Sequence, residues 1–511
     1  MRPLPHSIAA LSLAVAAAAN PRQATPTFPA RVDLVRIDVT AVDRGGRPVT
    51  GLAASDFEIT EKGRPREVVS FEPVLLKLVR SSEPPRPPLV SAPAVLEPDE
   101  GRFFVLFFDN VHVSAPVSEW VRESLAPVLE REVNDGDWVR VVAPEKRVSW
   151  TARTPWEHRQ LPEVVRRLSG QLVRDPFSSS ASSEASHADW EAMQAVEYGA
   201  RTGANLVSRG EQEAGGARDA LYAEMTYAVA QRRIRHSLGA LREAVESMAA
   251  FRGRKSLLLV SEGFIRSPRL RDLYDEVIAA ARQASVTIHF IAPQGLAIEG
   301  KIGERWLETM GGGSAHIAEE TGGRSFLSND LAAPLRQALE ESSAYYLLGI
   351  VPDPRPGEHR VRVRMRRPGV KAVARSRYFV AEPGAEADRV PAATRALRSA
   401  LDATALPVRV SSVTEAPLAE GKVGVALSIG LAPAPGDTGE RQVSLLLAAR
   451  RLEGGGTVED SLEVALGAEA GPAVRHFRLE PGTWQARVVV TDVATGAMGS
   501  VLHTFEAPSA P

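Results

Sequence analysis

Asp109 is the side chain best placed for chemistry in this sequence. It ends the apolar run of Arg102-Phe-Phe-Val-Leu-Phe-Phe-Asp109-Asn-Val-His-Val-Ser114. Phe103 to Phe108 are aromatic and aliphatic throughout, too short a run for a fully buried helix but suited to a strand covered on both faces. A carboxylate at the C-terminal end of such a strand lies where open α/β sheets place their ligands. Asp109 therefore reads either as a metal ligand or as the cap of the next element. A second apolar run, Ser256 to Val260, ends in the same way at Ser261-Glu262-Gly263.

Other chemistry-bearing patterns are weaker. Gly253-Arg-Lys-Ser256 lacks the spacing of a phosphate loop and precedes a strand, whereas such a loop follows one. Gly311-Gly-Gly-Ser-Ala-His316 is not Gly-x-Ser-x-Gly, and no strand feeds into it, so it reads as a flexible loop. There is no His-Glu-x-x-His. His289 falls inside an apolar strand and reads as a satisfied core histidine. The chain has no cysteine, which removes disulfides, thiolate metal sites and cysteine nucleophiles. No hydrolytic constellation assembles from these residues.

The elements that must position Asp109 and Glu262 belong to a chain of 511 residues, enough for two to four domains. A net charge of −2 gives no sign of a nucleic-acid partner. Arg2 and His6, the apolar run Ile8 to Ala19 and Asn20-Pro21 form a secretory-signal pattern over residues 1–24, with a retained anchor as the other reading. No second stretch reaches membrane-spanning length, so the mature protein is expected to be soluble and secreted or periplasmic, with envelope association open.

Short alternating strands from 31 to 75 indicate a small immunoglobulin-like sandwich. Residues 76–101 form a linker, with six prolines between 84 and 98. From 102 to 343, strands alternate with helices, which indicates an α/β, doubly wound, mostly parallel Rossmann-like sheet. Ser178-Ser-Ser-Ala-Ser-Ser-Glu-Ala-Ser186 marks a low-complexity insertion over 172–218. In the helix expected from Asp219 to Phe251, Leu221, Met225, Leu238, Leu241, Val245 and Met248 form a core-facing stripe. Residues 344–380 read as an antiparallel hairpin in which Arg360, Arg362, Arg364 and Arg366 alternate with Val361, Val363 and Met365. That basic face is either solvated charge that discourages edge pairing or a docking surface for an acidic partner or anionic lipid. A linker and short helix (381–405) lead to a second sandwich at 406–508.

These stretches together resemble von Willebrand factor type A (VWA) domains, and more closely the acidobacterial VWA-related family. The residues that carry the resemblance are Asp43-Arg-Gly-Gly-Arg-Pro-Val-Thr-Gly-Leu52, Asp56-Phe-Glu-Ile-Thr-Glu-Lys-Gly63, Phe103 to Ser114, Phe251 to Phe264, Glu320-Thr-Gly-Gly-Arg-Ser-Phe326 and Ser343-Ala-Tyr-Tyr-Leu-Leu-Gly349. The resemblance implies a VWA sheet flanked by N- and C-terminal sandwiches. It also implies a metal-ion-dependent adhesion site built from Asp-x-Ser-x-Ser, a distant Thr and a further Asp. Such hard oxygen ligands suit Mg²⁺ or Mn²⁺. Here Asp109 matches the first ligand, Val111 and Val113 replace the serines, Ser114 falls one residue late, Ala217 stands where the Thr is sought, and Glu262 replaces the final Asp. The implied metal site is therefore degraded, with Asp109, Ser114 and Glu262 as its ligands and Asn110 and His112 as neighbours.

Two functions follow as expectations. The first is an exported, non-catalytic protein that mediates protein–protein or cell-surface adhesion, with Arg362, Arg364 and Arg366 in its contact surface. The second is an envelope enzyme or processing factor using a crevice at Asp109 and Glu262.

Overall fold

The computed structural model describes residues 34–508, except 77–78, 81–87, 97–99, 146–147, 173–183, 203–215, 252, 294–307, 310, 329, 381–390, 433–438, 453–455 and 468–469. The signal segment and most of the Ser-rich tract lie outside the described residues. In chain order the first strands are β1 (Val35–Val42), β2 (Phe57–Glu61), β3 (Arg64–Arg66), β4 (Ser70–Leu75), β5 (Val90–Ser91), β6 (Phe103–Phe108), β7 (Trp138–Ala143) and β8 (Val148–Ala152). Next come β9 (Lys255–Val260), β10 (Val286–Ala292), β11 (Ser325–Leu327), β12 (Ala344–Ile350), β13 (Gly357–Met365), β14 (Lys371–Ala374) and β15 (Arg377–Val380). The last are β16 (Val408–Pro417), β17 (Val423–Leu431), β18 (Arg441–Arg451), β19 (Thr457–Leu466), β20 (Ala473–Leu479), β21 (Gly482–Asp492) and β22 (Met498–Ala507).

The expected fold, a doubly wound, mostly parallel Rossmann-like sheet between two immunoglobulin-like sandwiches, is corrected here. The chain is strand-rich, and among the described residues four of its five sheets are four-stranded and antiparallel. The remaining sheet, in order β11-β10-β9-β6-β7-β8, is mixed, because β8 runs antiparallel to β7. Nor is 31–75 a self-contained sandwich. β1 pairs with β12 and β14, β4 with β12, and β2 with β13, so the 344–380 segment completes both N-terminal sheets around one core. Hydrophobic alternation reveals a half-buried strand but not its partner. Here that partner lies roughly 300 residues downstream.

β6 lies at the centre of the mixed sheet. Phe103, Val105 and Phe107 enter one core, and Phe104, Leu106 and Phe108 the other. The helix Ala115–Glu132 and the helix Ala332–Ser343 cover the second face, and the helices Gly216–Glu246 and Arg271–Gln283 the first. The apolar stripe of the long helix is only partly inward. Leu238, Leu241, Val245 and Met248 are buried, whereas Leu221 and Met225 are 62% and 61% exposed. The C-terminal strands form two sheets around a shared core, β20-β17-β16-β5 and β19-β18-β21-β22. β5 comes from the proline-rich stretch, whose Ser91 Oγ also lies 2.9 Å from His503 Nδ1.

His289 is in the core, but not as a satisfied histidine. It is 2% exposed on β10, and neither ring nitrogen has a hydrogen-bond partner among the described residues. Burial first, then Arg254 and Arg324, push its pKa down to about 3. Below the ordinary value of 6.5 the unfolded chain takes up a proton that the folded chain refuses, so stability falls as the pH falls from 6.5 towards 3. The expected loss between pH 6.5 and 5 is about 2 kcal/mol. His289→Phe should remove that increment from the pH dependence of urea midpoints. An unchanged slope would show that the imidazole charges freely in the folded state.

Candidate functional site

The loop after β6 is fixed by its own backbone. Asp109 N donates to Val260 O at 2.9 Å, tying the loop to the end of β9, and His112 N donates to Asp109 O at 2.9 Å. Leu172 N donates to Val113 O. Gly170 lies so close to this loop that a Cβ there would stand 2.1 Å from Val113 O, a contact only glycine tolerates. Ser114 occupies the position before the helix Ala115–Glu132, but its side chain does not cap that helix.

This geometry makes Asp109 the acceptor of a buried network. Ser237 Oγ donates to its Oδ1 at 2.6 Å, Ser261 Oγ to its Oδ2 at 2.9 Å, and His112 Nδ1 lies 2.9 Å from Oδ2. Asp109 is fully buried, and His112 and Ser237 are nearly so. Burial pushes the Asp109 carboxyl up, but the attraction of His112 and the three hydrogen bonds outweigh it and hold the group below the usual aspartate value. Ser, His and Asp are thus in contact without forming a relay. A relay needs the two ring nitrogens to face different partners. Here the same Nδ1 faces both Asp109 and Ser237, and the Ser237 hydroxyl donates its hydrogen bond directly to the carboxylate.

Glu262, at the end of the adjacent strand β9, is engaged separately. Its Oε1 accepts from Ser114 N at 2.7 Å and Ser114 Oγ at 2.6 Å. Asp109, Ser114 and Glu262 are therefore brought to neighbouring strand ends, but the two carboxylates are committed to protein donors, Ser114 is one of those donors, and all three are nearly or wholly inaccessible. Val111 and Val113 are buried too, Val113 within a core cluster. A cation would have to displace the serine and histidine donors, so the residues present do not fit Mg²⁺ or Mn²⁺. Asn110 and His112 are also buried, and Asn110 Nδ2 and His112 Nε2 have no hydrogen-bond partner among the described residues. Arg362, Arg364 and Arg366, by contrast, are exposed.

Sequence reasoning missed Ser237 and Ser261; it expects a polar helix at 187–200, and the helix observed there is Glu184–Thr202. Trp190, Ala192, Met193 and Val196 of that helix pack into the same core as Phe264, and Asp189 forms an ion pair with Arg233. Burial pushes the Asp189 carboxyl up despite Arg233. The available signal was Ser237, a polar residue beside Leu238 in an otherwise apolar stripe.

Among the described residues, the acidic and histidine groups close enough to share an ion are Glu61, Asp353 and His359. They are already saturated. Glu61 accepts from Tyr378 at 2.7 Å and from Arg66 Nε at 2.6 Å, and lies 3.0 Å from His359 Nδ1. Asp353 is held by Arg355, and His359 Nε2 lies 2.7 Å from Arg355 O. An added cation would meet two guanidinium groups. A cavity of about 320 Å³ opens at the opposite end of the mixed sheet, where Arg102, Arg131, Glu132, Arg336 and Glu340 line it with mixed charge.

No helix among the described residues is long and apolar enough to cross a membrane. Comparison with models of known protein families returns no match, and no curated protein matches the chain.

Proposed function

We propose that this chain is an exported, non-catalytic binding protein of the VWA-related kind, mediating protein–protein or cell-surface contacts. One observation carries the reading: Asp109 and Glu262, the two carboxylates at the strand ends, are 0% and 2% exposed and bound to internal donors. Buried acceptors that are already saturated organise a fold, whereas groups that act on a substrate need access and an open coordination or proton position. The seat of binding is then the exposed surface rather than the strand-end crevice.

Calorimetry with Mg²⁺ and Mn²⁺ tests this directly. The expected result is no saturable heat and no rise in melting temperature at millimolar ion. A stoichiometric isotherm lost in Glu262→Gln would replace the reading with metal-dependent adhesion. A hydrolytic activity found by substrate screening and abolished by the same variant would replace it with the processing-enzyme reading.

A further inference from the structure

The outward residues of β13 are Glu358, Arg360, Arg362 and Arg364, and Arg366 and Arg367 follow at its end. All five arginines are exposed, and among the described residues no carboxylate is paired with any of them. Lys62 and Arg64, in and after the adjoining turn, add exposed positive charge beside Arg360, whose carbonyl accepts from Lys62 N at 3.3 Å. The nearest carboxylate in register is Glu58, opposite Arg364, while Glu358 is taken by Arg282 and Arg377.

Protection of a sheet edge explains charge on this strand but not five arginines without a paired carboxylate. β13 is bordered by one strand at a time, by β15 over Gly357–Arg360 and by β2 over Val361–Met365, so part of each edge is open. The row is also not matched to a bilayer. The outward side chains of β2 and β13 are Glu58, Thr60, Glu358 and the arginines, with no aliphatic group to enter one. What the row does have is a period. Alternate residues of a strand stand about 6.7 Å apart. An extended polypeptide with Asp or Glu at every second position presents carboxylates at the same repeat, each suited to a guanidinium fork.

We propose that the β13 face binds an extended acidic polypeptide segment whose carboxylates alternate along the chain, in register with Arg360, Arg362 and Arg364. The proposal deepens the binding reading and rests on it, but its test leaves Asp109 and Glu262 untouched, so the two fail separately.

Fluorescence anisotropy on the full chain decides it, using two labelled peptides of equal composition: (Glu-Thr)₆ and a block peptide of six glutamates followed by six threonines. The alternating peptide should bind at least tenfold more tightly at low salt, with affinity falling steeply as salt rises. Arg360→Gln, Arg362→Gln and Arg364→Gln together should weaken it about thirtyfold without moving the melting temperature. Arg367→Gln, at the position that breaks the alternation, should weaken it less than threefold. Equal affinity for the two peptides overturns the proposal. So does an unchanged triple variant, or tighter binding of oligothymidylate or of phosphatidylglycerol vesicles.

Discussion

Asp402→Ala should lower the stability of the chain by about 3–5 kcal/mol and split its urea unfolding into two transitions. Asp402 is the acid between Arg153 and Arg487 in a cluster that fastens the C-terminal sheets to the mixed sheet, where nearby Glu157 is taken by Thr504 and the Arg153 backbone. Its side chain is fully buried, and so, nearly, are those of Arg153 and Arg487, which pair with its two oxygens. Arg153 reaches it at 2.7 Å from the end of β8 while also donating to Leu502 O and lying over the Trp138 ring. Arg487, on β21, donates to Ser399 O as well. Burial pushes its pKa down to about 10, with Asp402 pulling the other way. Removing the carboxylate leaves two guanidinium groups buried without a counter-charge, which costs more than the ion pair ever contributed.

The same junction carries a polar seal, so the variant is expected to loosen it rather than abolish folding. The Gln485 carboxamide accepts from Thr151 N and donates to Thr151 O, closing the exposed edge of β8. The second transition follows because the C-terminal sheets have their own core. An urea midpoint within about 0.5 kcal/mol of the parent, still in one transition, would show that the cluster contributes nothing to the junction.

The same contrast explains what was legible in the sequence. Phe103 to Phe108 announced a strand covered on both faces, and β6 is that strand, because six consecutive apolar residues leave no solvent face. The alternation in Val35–Val42 announced a strand too, but its partners could not be read, since Tyr346 and Ala374 pair with Val39 across more than 300 residues. A sandwich was expected where half of one exists. Leu221 and Met225 show the limit of periodicity: their spacing is helical, but they lie off the face that Ala220, Tyr227, Ala230 and Ile234 of the same turns bury. At the candidate site, Asp109 and Glu262 were found because strand-end carboxylates are visible in one dimension. Ser237 was not, because a hydroxyl 128 residues away has no local signature of the acceptor it serves.

Asp109→Ala separates the two meanings of that carboxylate, and the expected result is a loss of about 3–5 kcal/mol with no loss of divalent-ion binding. As a hub, Asp109 accepts from Ser237 and Ser261 and faces His112, all buried, and truncation strands these polar groups where water does not reach. Because the folded carboxyl is held below its ordinary value of 3.8, its contribution is complete above about pH 4 and is lost as the pH falls below that. The parent and the variant should therefore converge in stability on acidification. Ser237→Ala, which removes one donor and leaves the acceptor its other partners, should cost only about 1 kcal/mol. A ligand would behave in the opposite way. A carboxylate kept for a cation is under-satisfied without it, so its truncation in metal-free protein leaves stability unchanged or improves it, and the functional loss appears only when the ion is added. If Asp109→Ala melts within a degree of the parent and eliminates a divalent-ion isotherm, the hub account is wrong. If it unfolds several kilocalories earlier and the parent has no isotherm to lose, the carboxylate at the end of β6 is there to hold the helix carrying Ser237 against the strand ends.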